Sequence, residues 1–254
     1  MKIATWNVNG IRARQGQLID WLAAEKPDIV CLQEIKASLD QLTFELRDLE
    51  GYWSYWHGDK GYSGVALLVA KSLVGALPMC SHPGFDFEQR IACVTVPSPA
   101  GDVMIASVYV PNGGKDFDAK MRFLQALESY VADADREGRL IVLCGDLNVA
   151  LAERDIHPKL QKLNQIGARP EERALLAQII SRGLVDVHRL FEPDNDNLFT
   201  WWAPWRNQKE RNIGWRIDYV LASKALADRA KSAVVQREIG SSDHGPVVVE
   251  FDFS

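Results

Sequence analysis

Eight strand-length runs recur along this chain, and most are apolar on both faces: "KIATWNV", "DIVCLQE", "GVALLVA", "IACVTV", "VMIASVYV", "LIVLCGD", "WRIDYVLA" and "PVVVEFDF". A strand with one face in water alternates apolar and polar residues, whereas a strand covered on both sides stays apolar throughout. Helical patterns separate only some of the runs. "GQLIDWLAAE" places Leu18, Trp21 and Leu22 on one stripe, and "AKMRFLQALESYVADADRE" is a longer amphipathic stretch. "PEERALLAQIISRG" opens with Pro170 and acids in its first turn and closes at Gly183, the usual signals of helix entry and exit. The strands follow one another too closely for a simple βαβ repeat. The pattern predicts an α/β fold, a four-layer α/β/β/α sandwich of two packed mixed β-sheets flanked by helices. A length of 254 residues is within reach of one domain, expected here over 1–254.

No apolar run approaches the roughly 18–20 residues that span a bilayer. The start, "MKIATWNVNG", alternates like a strand and lacks the apolar stretch of a secretory signal. A cytoplasmic protein without a membrane partner is the expectation. Cys31, Cys80, Cys93 and Cys144 are isolated, with no Cys-x-x-Cys spacing, which predicts buried thiols rather than disulfides or zinc ligands. The net charge of −5 argues against a uniformly cationic surface. A local stripe in "WRNQKERNIGWR", with Arg206, Lys209, Arg211 and Arg216, could still steer a polyanion, and Arg12 and Arg14 add charge near the start.

Polar groups gather where apolar strands end: Asn7 and Asn9, Gln33 and Glu34, Tyr109 and Asn112, Asp146 and Asn148, Asp218, and finally Asp243 and His244 in "SSDHGPVVVEF". Strand ends feeding loops are where a sheet holds functional groups rigidly. Singly, each has a plain structural role. Asn9, Asn112 and Asn148 suit Asx-turns, Tyr109 suits a core tyrosine with its hydroxyl tied off, Asp218 suits a salt bridge, and His244 suits a packed histidine. Glu34 needs a cation or an arginine if buried. Asp243 is followed by His244 and then Gly-Pro, where no helix begins, so it is no helix cap. Together they supply acids, amides, a tyrosine and a histidine, with no nucleophile elbow and no Gly-rich phosphate loop. Hard oxygen donors with few histidines suit Mg²⁺ or Mn²⁺ rather than zinc. Such a set fits hydrolysis of a phosphate ester.

The ordered series "WNVNGIR", "DIVCLQEIK", "GYSGVALL", "YVPNGG", "GDLNVA", "PEER", "TWW", "NIGWRIDYVLAS" and "SDHGPV" resembles the exonuclease III / apurinic-apyrimidinic endonuclease family of the endonuclease–exonuclease–phosphatase superfamily. It covers essentially the whole chain. The resemblance implies a Mg²⁺-dependent phosphodiesterase of base excision repair, with Mn²⁺ as an alternative ion. It would cleave double-stranded DNA 5′ of abasic sites, trim recessed or blocked 3′ ends to 3′-OH, and act as a monomer. It further implies Glu34 as principal metal ligand, with Asn7 close by and Asp243 at the edge. Asp146 becomes the general base, Asn148 the group orienting water, and His244, held by Asp218, a phosphate contact. Tyr109 would lie against the phosphate and aid the leaving group. Asn112, Lys115, Tyr62 and Arg216 would contact phosphate or DNA, and Trp201, Trp215 and Ile217 would line a pocket for a base-less deoxyribose. An apolar pocket favours such a sugar because flipping it loses little pairing or stacking. Two positions depart from relatives. Asn9 stands where some carry Asp, and "WWAPW" is richer in tryptophan, which makes Trp205 a candidate wedge in the duplex. The competing readings are a phosphoesterase of the same superfamily acting on sphingomyelin or inositol phosphates, and a non-catalytic DNA-binding module.

Overall fold

The computed structural model describes residues 1–253. The chain runs β1 (Lys2–Asn7), α1 (Ile11–Glu25), β2 (Ile29–Gln33), α2 (Phe44–Arg47), β3 (Tyr52–Asp59), β4 (Tyr62–Ala70), β5 (Cys80–Ser81), β6 (Ile91–Val96) and β7 (Val103–Tyr109). It continues with α3 (Phe117–Arg136), β8 (Leu140–Asp146), α4 (Pro170–Ser181), β9 (Leu184–Asp186), α5 (Val187–Phe191), β10 (Asp218–Ser223), α6 (Lys224–Ala227), β11 (Ala230–Val235) and β12 (Val247–Phe251). The strands form two six-stranded sheets, in the orders β11-β12-β1-β2-β4-β3 and β5-β6-β7-β8-β10-β9. Each sheet is mixed. One parallel pair in each is joined through a helix, β1 to β2 through α1 and β7 to β8 through α3.

Side-chain alternation explains the layers. Ile3, Ile29, Cys31 and Leu67 of the first sheet share one core with Val94, Ile105, Val142 and Val220 of the second. The intervening Ala4, Val30, Leu32 and Leu68 belong to a separate core with Leu18, Trp21 and Leu22 of α1 and Leu46 of α2. On the far side, Ala106, Val108, Ile141 and Leu143 pack with Phe123, Leu124 and Leu127 of α3 and Leu176 and Ile179 of α4. Three apolar layers lie between four structural ones, so each central strand is apolar on both faces. Each fully buried Leu, Ile, Val or Phe contributes about 1.5–3 kcal/mol. The four-layer expectation is met.

Four strands went unread in the sequence: β3, β5, β9 and β11. All four are sheet edges. Edge strands are short, half-exposed or charged because a bare apolar edge would recruit other chains. "YWSYWHGD" is half-buried along nearly its whole length, and "AKSAVV" carries Lys231. The last "WRID" run is also shorter as a strand than expected. Regular pairing begins at Asp218, while Trp215 makes isolated bridges to Trp201 and Ile156. All four cysteines are free; Cys31, Cys93 and Cys144 are buried and Cys80 half-buried. Among the described residues, no helix is long and apolar enough to cross a membrane.

Candidate active site

Strand register creates the first row of the site. Tyr109 on β7 pairs with Asp146 on β8, and Asp146 pairs with Asp218 on β10. Directly paired residues project to the same face of a sheet, so three functional groups stand side by side. Gly145 makes the row compact. With φ +150°, a Cβ there would sit 1.9 Å from the Val108 carbonyl oxygen, so only glycine lets β8 close on β7 just before Asp146.

The first sheet supplies the opposite wall. Asn7, the last residue of β1, donates from Nδ2 to Glu34 Oε1 at 2.9 Å and to Asp146 Oδ2 at 2.9 Å. One amide therefore joins the two sheets and the two acids. Its Oδ1 accepts the Asn9 backbone N–H. Glu34 leaves β2 in the left-handed region, φ 50°, as does Asn148 after β8, φ 51°. That conformation is uncommon without glycine. Asn148 donates its backbone N–H to Asp146 Oδ1 at 2.9 Å and its side chain to the Val110 carbonyl at 2.9 Å, and its Oδ1 accepts from Asn112 Nδ2 at 3.2 Å.

The closing loop divides its two neighbours. His244 Nδ1 lies 2.9 Å from Asp218 Oδ2, and its Nε2 lies 3.9 Å from Asp146 Oδ2. Asp243 turns the other way; its oxygens accept from Asn9 Nδ2 at 2.8 Å and Trp201 Nε1 at 2.9 Å. Trp201 and Trp215 meet edge to face with centroids 6.3 Å apart. With Ile217, Ile166 and Gly167 they form the apolar end of a cavity of about 420 Å³ whose polar end holds Glu34, Tyr109, Asp146, Asn148 and His244. A side chain at Gly167 would press on the Trp215 ring, 3.1 Å away.

Crowding of acids sets the electrostatics. Burial, then the charge of Asp218, push the Asp146 carboxyl up to about 7. Burial alone would lower the His244 imidazolium, but the charge and hydrogen bond of Asp218, with Asp146 and Asp243, overcome it and raise the pKa to about 10. Burial works against ionised Glu34 too, yet hydrogen bonds from Asn7 and Lys36 hold it below the usual range. Burial and the nearby charges of Glu34 and Asp146 keep the Tyr109 phenol protonated, its pKa well above 10. Glu34, Asp146 and His244 each offer a ligand atom, all within 4.8 Å of one another. Two hard carboxylates, one of them left uncomfortable by like charge, fit a divalent cation that would relieve the crowding.

Two sequence-based assignments need correction. Arg216 is 1% exposed. Its guanidinium is forked onto Asp155 at 2.8 and 3.2 Å and onto Asp186 at 2.7 Å, so it does not face a polyanion. It anchors the wall that carries Trp215 and Ile217, and removing one partner of such a buried pair costs about 3–5 kcal/mol. The supposed basic stripe dissolves for the same reason. Lys209 turns inward to the carbonyls of Ser242 and Ile239 and over the Trp202 ring, leaving Arg206 and Arg211 outside. Tyr62 and Lys115 are exposed, with the ammonium 5.8 Å from the Tyr62 ring. Trp205 is 59% exposed, whereas Trp202 is core.

Sequence reading missed two supporting cations. Lys120 is fully buried, pairs with Glu172, and donates to the carbonyls of Asn148 at 2.7 Å and Asn112 at 3.2 Å. It holds both amide-bearing loops. The signal was present: Lys120 occupies the apolar stripe of α3 with Phe123, Leu124 and Leu127, where a lysine is costly without partners. Arg90 lies beneath Tyr62 and Tyr109, 5.5 and 4.8 Å from their ring centroids, and donates to the Tyr62 hydroxyl at 3.0 Å.

Comparison with known proteins adds context to this geometry. The Endonuclease/Exonuclease/phosphatase family profile matches residues 4–244. An exodeoxyribonuclease of Bacillus subtilis (strain 168) is 34% identical over 252 residues, covering 97% of this chain and 98% of the relative. Among solved structures, the 3′-5′ exonuclease NExo from Neisseria meningitidis superposes with a TM-score of 0.87 at 31% identity, covering 99% and 100% of the two chains. An AP endonuclease from Archaeoglobus fulgidus superposes with a TM-score of 0.81 at 32% identity, covering 99% of both.

Proposed function

The chain belongs to the Endonuclease/Exonuclease/phosphatase family, and on that premise we propose that it is a Mg²⁺-dependent DNA phosphodiesterase of base excision repair. It nicks double-stranded DNA 5′ of abasic sites and trims 3′ ends, leaving 3′-OH. One observation carries this reading: the Tyr109–Asp146–Asp218 row, with His244 against it, opens directly onto the Trp201–Trp215–Ile217 cavity. A phosphodiester and the sugar beside it can occupy the two ends together.

The residues divide the work by chemistry. Glu34 would be the principal ligand of the cation, with Asn7 beside it linking Glu34 to Asp146 and Asp243 at the edge of the site. When bound, the ion supplies Lewis-acid polarisation of a phosphoryl oxygen. Asp146, held by the Asn7 and Asn148 donors, takes a proton from the attacking water. Asn148 orients that water through its links to Asp146 and Val110. The water oxygen bonds to phosphorus while the bond to the 3′ oxygen breaks. Tyr109, protonated at working pH, donates to the departing oxygen. His244, cationic and fixed through Nδ1 by Asp218, donates from Nε2 to the negative charge that develops on the phosphoryl group. Trp201, Trp215 and Ile217 accept a deoxyribose that carries no base. A normal nucleotide must first lose its pairing and stacking to enter the same space.

Purified protein tested in parallel on abasic, recessed and 3′-phosphate duplexes is expected to act on all three with Mg²⁺ and to stop with chelator. The abasic strand is expected to yield a primer that a polymerase extends directly. Turnover of inositol phosphates or sphingomyelin in preference to these duplexes would overturn the assignment.

A further inference from the structure

A second cluster of ligating side chains lies outside the cleft. His57 sits on β3, the last strand of the first sheet, and His82 directly follows β5, the last strand of the second. Asp86 lies in the loop leading to β6. Each offers one ligand atom, and these atoms lie within 4.8 Å of one another. The two imidazoles stack with centroids 4.6 Å apart and planes 6° from parallel. Asp86 Oδ2 is 2.6 Å from His57 Nε2. The other carboxylate oxygen accepts backbone N–H groups from Arg90 at 2.8 Å and Ile91 at 3.1 Å.

A His–Asp ion pair explains His57 and Asp86 but not His82. Ring stacking brings a modest gain, but it engages neither of the His82 nitrogens. What the arrangement does provide is two imidazole nitrogens and one carboxylate on three separate segments, with the carboxylate already aimed by main-chain donors. Such outer bonds orient metal ligands and fix their geometry. Two nitrogens and one oxygen with positions left for water suit a borderline ion, Zn²⁺ foremost. The catalytic group, with its two carboxylates, is harder. We infer that His57, His82 and Asp86 bind one Zn²⁺ ion that staples the two sheets together at their shared edge. The exposed His82 ring turns to present its nitrogen. The ion also bears on the cleft, because Asp86 holds the backbone of Arg90 and Arg90 lies beneath Tyr62 and Tyr109.

The test uses full-length protein stripped of metal and re-equilibrated in excess Mg²⁺, which occupies the catalytic carboxylates. Zn²⁺ uptake is measured by equilibrium dialysis with elemental analysis, and thermal unfolding is followed alongside. Wild-type protein is expected to take up one Zn²⁺ per chain and to unfold at a higher temperature. His82→Gln, at an exposed position, should keep the zinc-free melting temperature and bind Zn²⁺ at least about tenfold more weakly, since even losing an outer partner costs about 10–100-fold. Glu34→Gln should bind it as wild type does. No uptake by wild-type protein, uptake that survives His82→Gln, or uptake that vanishes in Glu34→Gln overturns the inference.

Discussion

Asp146→Asn is expected to slow single-turnover nicking of an abasic duplex by about 10²–10⁴-fold, the range that general-base catalysis supplies. Asparagine keeps the shape and can still accept the Asn148 backbone N–H, but it cannot take a proton from water. The same variant should unfold at a higher temperature than wild type above pH 7 in chelator. The sign follows from linkage. Folding raises the Asp146 carboxyl from 3.8 to about 7, so the folded state binds the extra proton. The destabilising contribution is absent below pH 3.8, grows between there and about 7, and is complete above. The gap between variant and wild type should therefore close as pH falls through that window. A variant that loses its activity and also melts early at every pH would mean that Asp146 serves the fold rather than the reaction. Functional groups held in costly environments are where stability and activity trade against each other.

His244→Asn is expected to cost about 10²–10³-fold, typical for loss of one preorganised donor to a developing oxyanion. Asp218→Asn separates charge from position. Against burial, Asp218 is the chief support of the His244 cation, whose pKa it helps to hold near 10. Without that charge, burial prevails and the imidazolium loses its proton at lower pH. The alkaline limb of the rate profile, near pH 10 in wild type, should move acidward in Asp218→Asn, with affinity for the duplex nearly unchanged. A limb that stays in place would remove Asp218 as the support of His244.

The layers were legible in the sequence because each central strand is buried on both faces, and that forces unbroken apolar runs. The four edge strands were not, since His57, Lys231 and their neighbours answer to solvent and to the need to discourage pairing with other chains rather than to a core. Catalytic candidates were legible as polar residues interrupting apolar strands, and the resemblance supplied their roles. Partners were harder to read. Nothing local in "WRID" distinguishes an arginine turned to Asp155 and Asp186 from one turned to DNA, since those acids lie 61 and 30 residues away. Lys120 stands out on its apolar stripe, but its partners, Glu172 and the carbonyls of Asn112 and Asn148, come from other segments. Arg90 pairs with Glu88 two residues away, and only the fold brings the Tyr62 and Tyr109 rings over it.

The central claim is that water activated at Asp146 attacks phosphorus in this cleft. Cleaving an abasic duplex in ¹⁸O-labelled water under single-turnover conditions tests it most directly, with mass analysis of both product ends. Hydrolysis in the proposed sense places one labelled oxygen on the new 5′-phosphate and leaves an unlabelled 3′-OH. A nicked product whose phosphate carries no label would place bond breaking at carbon, by elimination from the sugar, and would contradict the account.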